Sequence, residues 1–152
     1  WGAGRVRKVD VNTNIVSTVA GSTHTIAGQA PDTVGYGGNA TSAKLYLPRS
    51  SCLDSNGNMY IADSGNFQIL KVSASNNRIY RFAGNASTCV GNSFEGDGGS
   101  AINSCMNLPY HVFVDSDNLY IVGIPPSHNR PVRLQCCKST ISRIDRRHTT
   151  TQ

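Results

Sequence analysis

The chain has 152 residues, 38% of them hydrophobic and 15% charged, with a net charge of +5. That length holds one modest domain, and a composition poor in charge and rich in Gly, Ser, Asn and Thr suits short strands joined by turns and disfavours long helices. No stretch approaches the ~20 consecutive apolar residues of a membrane-spanning helix, and no N-terminal apolar segment reads as a signal peptide.

Patterned sequence begins at once. Trp1 leads directly into residues 5–21, RVRKVDVNTNIVSTVAG, which predict two short strands. A chain that opens this way is expected to be a trimmed product or a piece of a longer protein. A long loop follows, roughly residues 22–47. SSCLD (50–54) then predicts a strand, Ser55-Asn56-Gly57-Asn58 a tight turn with Gly57 free to take positive φ, and MYIAD (59–63) a second strand. Ser64-Gly65-Asn66 turns into FQILKV (67–72), and Ser75-Asn76-Asn77 turns into RIYRFAG (78–84). After a second long loop, residues 85–108, HVFVD and NLYIVG (111–123) predict two more strands. Residues 1–123 balance eight basic groups against eight acids. Residues 124–152 carry Arg130, Arg133, Lys138, Arg143, Arg146 and Arg147 against Asp145 alone, so the charge belongs to a basic tail.

Internal repetition is the strongest signal. Residues 35–54, GYGGNATSAKLYLPRSSCLD, lie on residues 96–115, GDGGSAINSCMNLPYHVFVD, at an offset of 61 without a gap. Gly35, Gly37, Gly38, Ala40, Leu47, Pro48 and Asp54 meet Gly96, Gly98, Gly99, Ala101, Leu108, Pro109 and Asp115. One residue is lost in the next turn, so that Tyr60-Ile61 meets Tyr120-Ile121. A second register, offset 63, lays residues 5–21 on residues 68–84, with Val6, Lys8, Val9, Ala20 and Gly21 on Ile69, Lys71, Val72, Ala83 and Gly84. The unit of about 60 residues exceeds the ~40–50 usual for propeller blades, and the excess lies in the two long loops.

LDSNGNMYIADSGNFQILKV and the shorter VDSDNLYIVG resemble the NHL repeat, and the VAG…GYGG…ATSAKL and FAG…GDGG…AINSCMNLP segments look like its long-loop variant. The resemblance covers residues 4–123 and implies an all-β fold: β-propeller blades, each a four-stranded antiparallel meander, in closed rings commonly of six. The expected organisation is a half blade at 5–21, a full blade at 48–84 and a half blade at 109–123, about two blade equivalents. Residues 124–152 follow as a divergent basic tail, where STISRID (139–145) supplies a displaced strand. Its Ile141, Arg143, Ile144 and Asp145 echo Val6, Lys8, Val9 and Asp10. A blade buries Ile61, Ile69, Val72, Ile79 and Phe82 only between neighbours. The rest of the ring is therefore expected outside this chain, or several copies assemble one.

Five cysteines occur without a CxxC pair, and the four histidines are scattered, which speaks against zinc. Cys89 and Cys105 bracket one loop, and a bridge between them is worth about 3 kcal/mol in the chain-entropy estimate. Cys52 falls in a strand pattern as a candidate free thiol, and the adjacent Cys136 and Cys137 are expected to pair elsewhere. Two sequons, at Asn39 and Asn85, are candidate glycosylation sites in loop-like sequence. With the candidate disulfide they point to an extracellular or cell-surface protein. Asp54-x-Asn56-Gly57-Asn58 lacks the length and closing Glu of an EF-hand loop, and Gly96-Asp97-Gly98-Gly99 reads as a turn, because its partner at 35–38 has no acid. There is no phosphate loop and no GxSxG elbow.

The residues therefore predict no catalytic set, no cofactor and no metal. The leading expectation is a non-catalytic protein-interaction or structural scaffold module whose recognition surface is loops 22–47 and 85–108. Tyr36, Tyr46, Phe94 and Tyr110 are aromatic candidates for contact or for loop packing. The expected partner is another protein or other copies or blades of the same assembly, with a glycan as a further possibility. Two alternatives stand beside it. One is a fragment of a metal-dependent lyase or hydrolase propeller with its site elsewhere. The other is RNA or polyanion binding through the basic tail, although neutral blades do not favour nucleic acid.

Overall fold

A computed structural model of the chain describes residues 4–22, 35–85 and 96–123, and the backbone alone at 136–138. The described residues are all-β, in three antiparallel sheets. The first is a hairpin of β1 (Val6–Val9) and β2 (Val16–Ala20). The second is a four-stranded meander in which β3 (Pro48–Leu53), β4 (Met59–Asp63), β5 (Gln68–Val72) and β6 (Ile79–Ala83) pair in chain order. The third joins β7 (Pro109–Asp115), β8 (Asn118–Gly123) and β9 (Cys136–Lys138). The third strand of this sheet is thus β9; the stretch expected to supply it, 139–145, lies outside the described residues. No described helix is long and apolar enough to cross a membrane.

Turn chemistry sets the strand ends. Asp54 Oδ1 accepts from the Asn56 and Asn58 N–H groups at 3.0 and 2.8 Å, and Oδ2 from Asn58 Nδ2 at 2.8 Å. The β3–β4 turn is therefore closed by its own first residue, with Gly57 at φ 79°. Asp10 does the same between β1 and β2, accepting from Asn12 and Thr13 N–H. Between β7 and β8 the turn has shrunk to Ser116-Asp117, with Ser116 at φ 52°.

The repeat seen in the sequence recurs in the backbone. Asn14 and Asn77 take φ 56° and 55°, Gly21 and Gly84 take 92° and 88°, and Leu47 and Leu108 take 50° and 41°. Each long loop returns through a short 3₁₀ turn, Ala40–Ser42 and Ala101–Asn103. Each of these turns clamps the preceding sheet. Gly21 N–H donates to Ala40 O and Ser22 N–H to Ala43 O; Gly84 N–H donates to Ala101 O and Asn85 N–H to Ser104 O, all at 2.8–3.0 Å.

The middle sheet is covered on both faces. One face sets Ile61, Leu70, Val72 and Ile79 against Ala20, Ala40 and Leu45, with Val6, Tyr36 and Met59 packed alongside. The other sets Tyr60, Ala62, Ile69 and Ala83 against Val112, Leu119 and Ile121 of the third sheet. The period-2 alternation of β4 and β5 requires this, because it sends apolar side chains to both faces.

Candidate interaction surface

The first strands of the second and third sheets, β3 and β7, lie side by side, and positions equivalent under the 61-residue offset meet. The Ser50 hydroxyl shares a 2.9 Å hydrogen bond with Nδ1 of His111 and accepts from the Val112 N–H at 3.3 Å. The Arg49 guanidinium stands 5.0 Å from the centre of the Tyr110 ring, within cation–π range. Tyr110 is 48% exposed, and Arg49 and His111 are exposed as well. Loop residues Gly35–Ala43 and Gly96–Ser104 flank these strands on their N-terminal side.

Of the four aromatic candidates, Tyr110 alone is exposed among those described. Tyr36 turns inward. Its hydroxyl donates to Gln68 Oε1 at 2.5 Å, its ring packs on the core, and Arg81 lies 5.8 Å from its centre. The Tyr46 ring packs against Gly65, where any Cβ would collide with it. Phe94 lies outside the described residues.

Behind the surface is a buried polar centre that the sequence pattern does not reveal. Asp63, fully buried, accepts from the Tyr46 N–H at 2.7 Å, Asn66 Nδ2 at 2.7 Å and Gln68 Nε2 at 3.0 Å. Burial is the dominant influence and pushes its carboxyl up to about 6, against the opposing effect of these three donors. Through Gln68 the network reaches the Tyr36 hydroxyl, so one carboxylate ties both ends of the returning loop to the middle sheet. The adjacent Ser64 hydroxyl donates to the Pro109 carbonyl of the third sheet. The one signal in the sequence is the Asp-x-x-Asn-x-Gln spacing at 63–68, which places three polar residues at a strand end.

Asp54 is held below the ordinary carboxylate range. Burial opposes this, and the hydrogen bonds from Asn58, Asn56 and Tyr60 outweigh it. Its lone pairs are spent on its own turn. The Tyr60 hydroxyl, 3.3 Å from Asp54 Oδ2, is pushed up to about 12 by burial and then by that carboxylate. Cys52 is a half-buried free thiol whose pKa is raised, first by burial and then by Asp54, which makes it a poor nucleophile. No group of three His, Cys, Asp or Glu side chains suited to a metal occurs among the described residues.

Asn39 is exposed and caps the Ala40–Ser42 turn. Its Oδ1 accepts from the Thr41 N–H at 3.1 Å, the Thr41 hydroxyl at 2.9 Å and Asn77 Nδ2 at 3.2 Å. Among the described residues all three bonds fall on the oxygen and none on Nδ2, the atom to which a glycan would be joined. Asn85 is half-buried at the clamp to Ser104, and the rest of its sequon lies outside the described residues. Cys105 is 8% exposed; Cys89 lies outside the described residues. No protein-family model matches the chain, and no curated protein matches it.

Proposed function

We propose that the chain is a segment of an NHL-type β-propeller and acts as a non-catalytic protein-interaction or structural scaffold in a secreted or cell-surface protein. The contact of Ser50 with His111 carries this reading. Sheets stacked face to face around an axis bring the same position of successive first strands together, and Arg49 against Tyr110 repeats the relation one residue earlier. The order of the middle sheet, each strand beside its neighbour in the chain, fits one blade. Non-catalytic use is supported by polar groups committed to structure: Asp54 to its turn, Asp63 to the loop stem, Cys52 to a half-buried thiol of raised pKa. Loops 22–47 and 85–108, with the exposed Arg49–Tyr110 pair beside them, are the proposed recognition surface.

The extracellular assignment rests on the sequons and the Cys89–Cys105 pair. Intact mass of the native protein, measured with and without deglycosylation and reduction, tests it. A glycan leaving Asn39 as Asp on enzymatic release, and a gain of two hydrogens on reduction of the 89–105 peptide pair, are the expected results. An unmodified Asn39 with a free thiol at Cys105 would sink the extracellular reading.

A further inference from the structure

We propose that the N-terminal ends of β3 and β7 form a binding site for a carboxylate, and that the site takes an acidic segment of a partner protein. The inference rests on the protein-interaction reading above and names the chemistry of that partner.

The backbone builds the site in both units. Where β3 pairs with β4, Pro48 meets Asp63 and Ser50 meets Ala62, so Arg49 is passed over. Where β7 pairs with β8, Pro109 meets Gly123 and His111 meets Val122, so Tyr110 is passed over. Each is a one-residue bulge, a device that re-aims a side chain and is common beside functional sites. Two residues before each bulge, Leu47 and Leu108 take φ 50° and 41°, a left-handed conformation that costs free energy in a residue other than glycine. The same strained bend thus recurs at the same place, and the two re-aimed side chains meet: the Arg49 guanidinium stands 5.0 Å from the centre of the Tyr110 ring.

This junction lies between two described sheets whose first strands run parallel. Ser50 Oγ accepts from the Val112 N–H, and two residues further on the Cys52 thiol takes a hydrogen bond from the Val114 backbone.

Hydrogen-bond donors are gathered in two adjacent residues of each strand. The cation–π contact holds the guanidinium without an acceptor oxygen, so its fork of N–H groups stays available to a carboxylate, which it can grip through two parallel bonds. Because the Ser50 hydroxyl already accepts from Val112, it directs its own hydrogen to Nδ1 of His111, and the ring hydrogen then sits on Nε2 as a further donor. Arg49, Tyr110 and His111 are all exposed, and Leu47, 40% exposed, stands at the entrance to β3. Arg and Tyr are also the residue types that dominate the binding energy of protein interfaces.

Charge placement selects an anion. The acids of these two strands and their turns stand at the opposite end: Asp54 in the turn after β3, Asp115 at the end of β7 and Asp117 in the turn that follows. Arg49 and Asp54 are about 17 Å apart along an extended strand, beyond the Debye length at physiological salt, so the two ends do not cancel. Asp63, opposite Pro48, is fully buried and its oxygens accept from three donors. The strand pair is therefore positive where it begins and negative where it turns, which steers a carboxylate to the beginning.

Amide NMR on the full 152-residue chain, isotope-labelled and titrated with hexaglutamate, tests the proposal. The amides of Arg49, Ser50, Tyr110 and His111 are expected to shift and saturate, while those of the turns at Asp54 and Asp117 stay in place. Hexaglutamine should move neither set. Arg49→Gln, at an exposed position, is expected to keep the fold and weaken binding about tenfold or more. Arg49→Lys, which keeps the charge and loses the fork, should fall between. The double variant Arg146→Gln/Arg147→Gln in the basic tail should leave the shifts as they are. Absence of shifts at the four amides overturns the site, as do shifts that vanish in the tail variant. A sulfated hexasaccharide that moves the same amides at lower concentration overturns the assignment to an acidic protein segment. Were Arg49→Gln to unfold, the wild type and the tail variant would still decide. Each failure leaves the scaffold reading to its own test by intact mass.

Discussion

Asp63 joins the returning loop, the turn after β4 and the start of β5 at one buried carboxyl. Its carboxyl binds a proton in the fold at about pH 6, above the 3.8 of a free side chain. Between these values the native state holds a proton that the unfolded state has lost, so this group stabilises the fold fully below about pH 4, and the contribution disappears as pH rises through 6. The difference corresponds to about 3 kcal/mol. Asp54 works in the opposite sense: its lowered pKa gives stability that is lost as pH falls below the ordinary carboxylate value. From these two groups the melting temperature is therefore expected to be highest near pH 4 and to fall between pH 4 and 6. Asp63→Asn should flatten the limb between pH 4 and 6, and Asp63→Ala should cost about 3 kcal/mol or more in urea titration by stranding three buried donors. A limb unchanged in Asp63→Asn would assign the pH dependence to another group. Little of this is legible in the chain: MYIAD reads as an ordinary strand, and only the fold shows that its last residue faces inward. Tyr36 and Tyr46 were equally undecided, since an aromatic in a loop reads the same whether it packs or protrudes.

At the scale of elements, the eight strands predicted over 5–123 are found within about two residues of their expected ends. They were legible because two independent signals coincide: alternation in the strands, and Asp, Asn and Gly at the turns. The 3₁₀ turns at Ala40–Ser42 and Ala101–Asn103 were missed inside segments read as loops. Their trace is the unbroken 61-residue register, since an irregular loop has no reason to keep Ala, Leu and Pro in step. The strand at Cys136–Lys138 was missed because two adjacent cysteines and a lysine carry no alternation. Gly84 tests the clamp between sheets. At φ 88° an added Cβ would meet the Phe67 carbonyl at 2.5 Å; Gly21 meets Gly4 in the same way. Gly84→Ala is expected to cost about 2–4 kcal/mol from left-handed strain and backbone displacement. Chemical denaturation would measure it, and a loss below 1 kcal/mol would show that the clamp is soft.

At the scale of the whole molecule, each described sheet is held by the next, and no single core unites all three. Sequence patterning anticipated this, because β4 and β5 are apolar on both faces and a sheet with two apolar faces needs two neighbours. The spatial meeting of Ser50 with His111 was not legible, since it depends on how sheets stack and not on any motif. The clamps from Gly21 to Ala40 and from Gly84 to Ala101 have a further consequence. They fasten the stems of both long loops at points 19 and 17 residues apart in the chain, identically in each unit. Tyr36 and Gly37, between the first pair of clamps, also dock on the middle sheet, yet the two units differ by two residues in the same interval, so its length is free to drift while the scaffold stays constant. The molecule is in this sense a display rack with standard sockets. Splicing ten glycine–serine residues between positions 28 and 29 should lower the melting temperature only marginally, since doubling a loop costs about 0.6 kcal/mol. The same sockets would then accept unrelated peptides, as a printed form accepts any entry between its fixed lines.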